Sequence, residues 1–107
     1  MIARTWRGWT RAEDADAYVD YLFETGIKEY RMTPGNRAAY ILRRNVGDRT
    51  EFVTLTFWDS LEAVRAFAGD DIEKAVFYPD DDRVLVDREN TTAHFEVIEY
   101  PVKGDAD

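Results

Sequence analysis

The chain has no cysteine, which removes disulfides, thiolate nucleophiles, iron–sulfur clusters and cysteine-based zinc sites together. Its single histidine, His94, rules out multi-histidine metal centres, and no metal is expected. The single serine, Ser60, sits where a helix cap belongs, so a Ser-His-Asp triad has no support. Lys28 and Lys74 lie on polar helix faces, which leaves a Schiff-base lysine without support as well. The six glycines stand alone, so neither a dinucleotide fingerprint nor a P-loop is present. The longest apolar run, Ala38 to Leu42, falls far short of the roughly 20 residues that span a bilayer. The first residues, Met1 to Arg7, hold no apolar signal-peptide core, and a cytoplasmic location is expected. Cations are the minority: 14 Lys and Arg against 22 Asp and Glu, a net charge of −8. That balance argues against non-specific nucleic-acid binding and against docking on an anionic membrane, both of which depend on basic side chains. Asp80-Asp81-Asp82 resembles the start of a calcium loop, but Val84 occupies the fifth ligand position and no glycine follows; the run reads as solvated loop.

What is present suits one globular domain. Hydrophobic residues are 45% of 107, enough for a single core, and the expected bounds are residues 1–102 with a polar tail at 103–107. Ile2 to Trp9 is aromatic and β-branched and predicts a first strand. Thr10-Arg11-Ala12-Glu13 has the form of a capping box, so a helix is expected from about Arg11 to about Lys28, weakened near Gly26. Arg37 to Arg44 and Arg49 to Trp58 predict a hairpin of two strands around Asn45 to Asp48. Asp59 or Ser60 caps a second helix that Gly69 stops. Ile72 to Tyr78 predicts a further short helix before Pro79, and Thr92 to Val102 a last strand. The order βαββαβ predicts an α+β, ferredoxin-like plait with a four-stranded antiparallel sheet.

A sheet covered on one side should alternate apolar with polar residues. The third strand does not. Val53, Leu55 and Phe57 share one face, and Phe52 and Trp58 stand with Thr54 and Thr56 on the other. Both faces need cover, and a chain this small has no spare element, so a homodimer through the sheet faces is expected. Charge is uneven too: residues 1–49 carry nine basic and seven acidic side chains, residues 50–107 five and fifteen. A solvated acidic surface accounts for this; a functional reading is that the arginine-rich half meets an anionic ligand or a partner's acidic half.

The stretch from Phe52 to Ala63, with Phe67-Ala68-Gly69 and Tyr78-Pro79, resembles the antibiotic biosynthesis monooxygenase domain family. The strand ending in Trp-x-Ser before a helix starting Leu-Glu-Ala is its most specific part. The resemblance implies a dimeric α/β barrel, two plaits packed sheet to sheet, each with a pocket between sheet and helices. Heme-degrading members imply an Asn, a Trp and an axial His; Arg7, Phe67 and Phe77 align there, so heme binding is not expected. Cofactor-free members imply an Asn, a Trp, a Tyr and an Arg; Trp58 keeps the Trp, while Thr54, Val64 and Tyr78 align with the rest.

The leading expectation is a cofactor-independent monooxygenase acting on a small phenolic or quinol-type aromatic. The alternatives are a non-catalytic ligand-binding or structural dimer, and an isomerase or cyclase using the same pocket. An activated phenol reacts with oxygen once deprotonated, which asks for a base, a group to hold the anion and a dry aromatic wall. The candidates are His94 as base, Arg7 or Tyr78 as anion holder and Trp58 as wall, with Thr54, Phe67 and Phe77 lining the pocket. Period-two alternation leaves open which face Arg7 and His94 occupy.

Overall fold

A computed structural model describes residues 1–100. Three long strands form the body of the sheet: β1 (Ile2–Arg11), β2 (Asn36–Val46) and β3 (Arg49–Trp58). Helices α1 (Ala15–Glu24) and α2 (Gly26–Met32) follow β1, and α3 (Leu61–Ala68) follows β3. A one-turn helix α4 (Asp81–Val84) then leads into β4 (Leu85–Arg88) and β5 (Ala93–Glu96). The strand order is β2-β3-β1 with β4 and β5 both on the free side of β1, all antiparallel. This is the expected plait with its fourth strand in two pieces. β4 pairs with Gly8 to Thr10, and β5 with Ile2 to Thr5.

The interruption explains why the helix expected over Ile72 to Tyr78 does not form. That segment spends its polar groups on the gap: Ala75 N donates to Asn90 O, Thr92 N to Glu73 O, and Thr92 Oγ1 to Ile72 O. Backbone groups held across to another segment are not free for an i→i−4 ladder. The last strand ends at Glu96 rather than Val102; Pro101, Val102 and the tail lie outside the described residues.

The first helix also starts later than expected. β1 runs on to Arg11 because Thr10 pairs with Thr50 and Arg11 with Arg49. Thr10 is fully buried and its hydroxyl donates to Arg11 O, so it caps nothing. A 3₁₀ turn (Ala12–Asp14) then opens α1, and the helical segment breaks at Thr25, beside the expected weak point at Gly26. At α3 the expectation holds: Ser60 Oγ accepts from Ala63 N at 3.2 Å, and Gly69 ends the helix at φ +86°.

The register assigns every side chain of the sheet to a face. Ile2, Arg4, Trp6, Gly8 and Thr10 of β1 share the helix side with Thr50, Phe52, Thr54, Thr56 and Trp58 of β3. Trp58, Tyr18, Phe52 and Val64 are fully buried there and form the centre of the core. On the other face Val53, Leu55 and Phe57 stand beside Tyr40 and Leu42 of β2 and Phe95 of β5, and no element among the described residues packs over them.

Candidate functional site

A cavity of about 30 Å³ lies between the helix side of the sheet, α1–α2 and the irregular segment before α4. Its walls are aromatic: Trp6, Tyr18, Tyr30, Phe77 and Tyr78, with Leu22, Gly26 and Ala75. Gly8 makes room for one of them. A Cβ on Gly8 would collide with the Trp6 indole, which lies along β1 and donates Nε1–H to Glu89 O at 2.7 Å. Phe77 meets Trp6 edge to face at 6.2 Å, and the Arg88 guanidinium covers its ring at 4.0 Å.

Two charged groups break the apolar lining. Arg4 projects from β1 and is only 3% exposed. No carboxylate among the described residues lies within ion-pair distance of it. Its Nη2 donates a long 3.5 Å bond to Lys74 O, its guanidinium lies 5.6 Å from the Phe67 ring centroid, and its Nε has no partner. Burial lowers its pKa, against the opposing influence of Tyr30. An arginine nonetheless keeps its proton.

Asp81, 3% exposed, opens α4. Its Oδ1 accepts from the Tyr18 hydroxyl at 3.1 Å and its Oδ2 from Tyr78 N at 2.7 Å. Burial raises its carboxyl above the usual range; the Tyr78 amide, the Tyr18 hydroxyl and Arg88 act the other way. The Tyr18 phenol is raised in turn, by burial first and by Asp81 second. Asp81 was expected in a solvated loop. It is instead a buried hydrogen-bond centre, because Tyr18 on α1 and the turn at Tyr78 close over it.

The expected site residues divide. Tyr78, Thr54 and Phe77 line the cavity, Tyr78 with its hydroxyl donating to Glu29 Oε2 at 2.6 Å. The Tyr78 phenol is raised by burial and by Glu29. Trp58 and Phe67 sit one layer back, both packed on Tyr30. The Trp58 N–H is already given to Thr56 Oγ1 at 2.8 Å. His94 pairs across the strands with Arg4 on the helix side, and its Nε2 is buried without a partner. Burial, then Arg4, lowers its pKa, so the imidazole is neutral at pH 7. Arg7 is corrected: its parity puts it on the open face, where it pairs with Glu89 at 3.1 Å. The cation that reaches the cavity is Arg4, three residues earlier. The signal for it was the Trp6–Gly8 pair, since a glycine two places from a tryptophan marks the face on which that ring lies.

An antiparallel plait with its fourth strand split, and a small aromatic cavity under its helices, make up a two-layer α+β domain. The family model for antibiotic biosynthesis monooxygenases matches residues 1–76, and the chain belongs to that family. Among solved structures it is similar to an antibiotic biosynthesis monooxygenase-type protein from Bacillus cereus, at 16% identity and TM-score 0.67, covering 95% of this chain and 97% of that one. It is also similar to SnoaB, a cofactor-independent oxygenase from Streptomyces nogalater, at 20% identity and TM-score 0.58 over 92% and 95% of the chains. The heme-degrader MhuD from Mycobacterium tuberculosis, solved with two hemes in its active site, gives 19% identity and TM-score 0.58 over 95% and 100%. No curated protein sequence matches. At these identities the likenesses establish the fold.

Heme does not fit these residues. Phe77 stands at the position that the resemblance assigns to the axial ligand, and it is held between Trp6 and Arg88. The one imidazole lies beside a buried guanidinium, a poor neighbour for an added iron cation. No helix among the described residues is long and apolar enough to cross a membrane.

Proposed function

We propose that the chain is a cofactor-independent oxygenase acting on a small phenolic or quinol-type aromatic, bound in the cavity against Arg4 and Asp81. The observation that carries this reading is the presence of a buried carboxylate and a buried guanidinium, unpaired with each other, in one aromatic lining. Asp81 serves as the base: a carboxylate raised by burial is a stronger proton acceptor than one in water, and each of its oxygens keeps a lone pair beyond the bond it accepts. Arg4 holds the oxyanion that proton loss creates. This reassigns the roles that sequence alone gave to His94 and Arg7.

For an anthrone the balance is simple. The substrate CH₂ loses a proton, and the anion passes one electron to O₂. The two radicals combine at carbon, and the hydroperoxide loses water to leave a ketone. One oxygen atom stays in the product, the other leaves as water, and all four electrons come from the substrate. A tricyclic ligand exceeds about 30 Å³, so the segment from Ala75 to Tyr78 must swing outward to admit it. That movement gives up the packing of Phe77 between Trp6 and Arg88 and the Tyr78 bonds to Asp81 and Glu29, with the Lys74–Thr91 bridge as the neighbouring anchor. Oxygen uptake with dithranol under air tests the reading. A rate above buffer is expected; none above buffer across a panel of phenols and quinols would favour a binding dimer instead.

The same reading includes a homodimer through the open sheet face. Tyr40, Leu42 and Phe95 are 53%, 47% and 55% exposed there, around the partly covered Val53, Leu55 and Phe57. Covering each large apolar side chain contributes about 1.5–3 kcal/mol. Leu55 is central, paired with Thr5 on one side and Tyr40 on the other. Light scattering is expected to give twice the chain mass at micromolar concentration, and Leu55→Asp a folded monomer. A monomeric parent protein would overturn the assembly.

A further inference from the structure

Among the described residues, Arg4 is a buried cation with no carboxylate partner. Its side chain enters the cavity wall beside Thr54 and Tyr30, its Nε has no partner, and the protein offers it only neutral oxygens, Lys74 O at a long 3.5 Å and the Tyr30 hydroxyl. The next residue across the strands, His94, also buries an unpartnered Nε2. Two orphaned polar groups on cross-strand neighbours, one of them in the cavity lining, are costly to fold around. Asp81, also in the lining, is different in kind, since each of its oxygens accepts a bond, from Tyr18 and from Tyr78. The lining therefore holds a cation without a charged partner among the described residues and a carboxylate that already has hydrogen bonds.

We propose that Arg4 marks a subsite for a fixed anionic group, a carboxylate, carried by the aromatic ligand before any reaction. This deepens the reading above by naming the substrate class, an aromatic acid, and it rests on the cavity being a ligand site but not on oxygen chemistry. A carboxylate supplies what Arg4 lacks: two acceptor oxygens matched to a guanidinium fork. The apolar ring then lies along Trp6, in the space that Phe77 leaves when its segment moves outward.

The preference follows from the geometry. A neutral ligand of the same shape would cover Arg4 without pairing it, and would forfeit its remaining hydration. The acid is thus favoured over its neutral isostere by about tenfold or more, the worth of a hydrogen bond to a charged group. A phenol that becomes an anion only on reaction gains this contact late, whereas an aromatic acid gains it on binding.

The experiment is calorimetric titration of the full chain under nitrogen, where no turnover occurs, with 1-naphthoate and with 1-naphthalenemethanol. The naphthoate is expected to bind at least tenfold more tightly, and Arg4→Met to remove that difference. Arg4→Met is also expected to keep or raise the melting temperature, because an unpaired buried cation gives way to an apolar chain of similar length. Arg4→Lys retains the charge without the fork and should keep part of the preference. Equal affinity for the two probes overturns the proposal, as does naphthoate failing to bind at millimolar concentration. A preference that survives in Arg4→Met, or a melting temperature several degrees lower in that variant, also overturns it by making Arg4 a structural group. Because oxygen is absent, a failed turnover assay and a failed binding assay remain distinguishable.

Discussion

Asp81→Asn is expected to slow oxygen uptake with dithranol by about 10²–10⁴-fold, the usual worth of a general base, while leaving the protein as stable as its parent at pH 7 or more so. The two halves of that expectation come from one fact. Asp81 is 3% exposed, and burial raises its carboxyl above the ordinary value of 3.8. A raised folded pKa means that stability is fully present below the unfolded value and is lost as the pH climbs through the folded one. At neutral pH the ionised carboxylate therefore opposes folding, and the neutral amide does not. Asparagine can also keep both contacts, its oxygen accepting Tyr78 N–H and its amide donating to the Tyr18 oxygen. What it cannot do is take a proton. The parent's kcat/KM should rise with pH through a pKa above 3.8, and the variant's residual rate should lack that step. An unchanged rate would remove Asp81 from the chemistry. A lost rate accompanied by a large fall in melting temperature would make it a structural residue.

The contrast between Asp81 and Arg7 shows what the chain discloses by itself. The plait was legible because its signals are local: β-branched runs at the strands, Ser60 and Gly69 bounding α3, and glycine at the hairpin. The apolarity of both faces of β3 was legible for the same reason, since period two separates Val53, Leu55 and Phe57 from Phe52 and Trp58. Parity along β1 was harder, because aromatic and basic residues occur on both of its faces and only the Trp6–Gly8 fit distinguishes them. Asp81 was out of reach. Three consecutive aspartates look alike in sequence, and only the fold brings the Tyr18 hydroxyl, 63 positions away, to the middle one. The same holds for the segment from Ile72 to Tyr78, whose apolar spacing suits a helix until the gap between β4 and β5 claims its backbone.

Trp58 separates the two ways of reading an aromatic at the end of a strand. Sequence and resemblance place it at the reacting wall; in the fold it is fully buried, one layer behind Tyr30, and absent from the cavity lining. Its indole meets Tyr30 edge to face at 6.0 Å and Phe67 at 5.9 Å, and its N–H is held by Thr56 Oγ1, which also donates to Arg4 O at 3.4 Å. Removing so large a core side chain leaves a cavity that the rigid sheet and α3 cannot fill, so Trp58→Ala should destabilise by about 3–5 kcal/mol in urea unfolding at fixed protein concentration. Trp58→Phe keeps most of the apolar bulk and loses the N–H bond, at a cost of about 1–3 kcal/mol. Its dithranol turnover should stay within about threefold of the parent, a barrier change under about 1 kcal/mol, because the group behind Tyr30 does not touch the ligand. A Trp58→Phe protein with parental stability and a rate reduced a hundredfold would reverse this. That result would mean that Tyr30 moves aside during binding and the indole becomes part of the reacting wall.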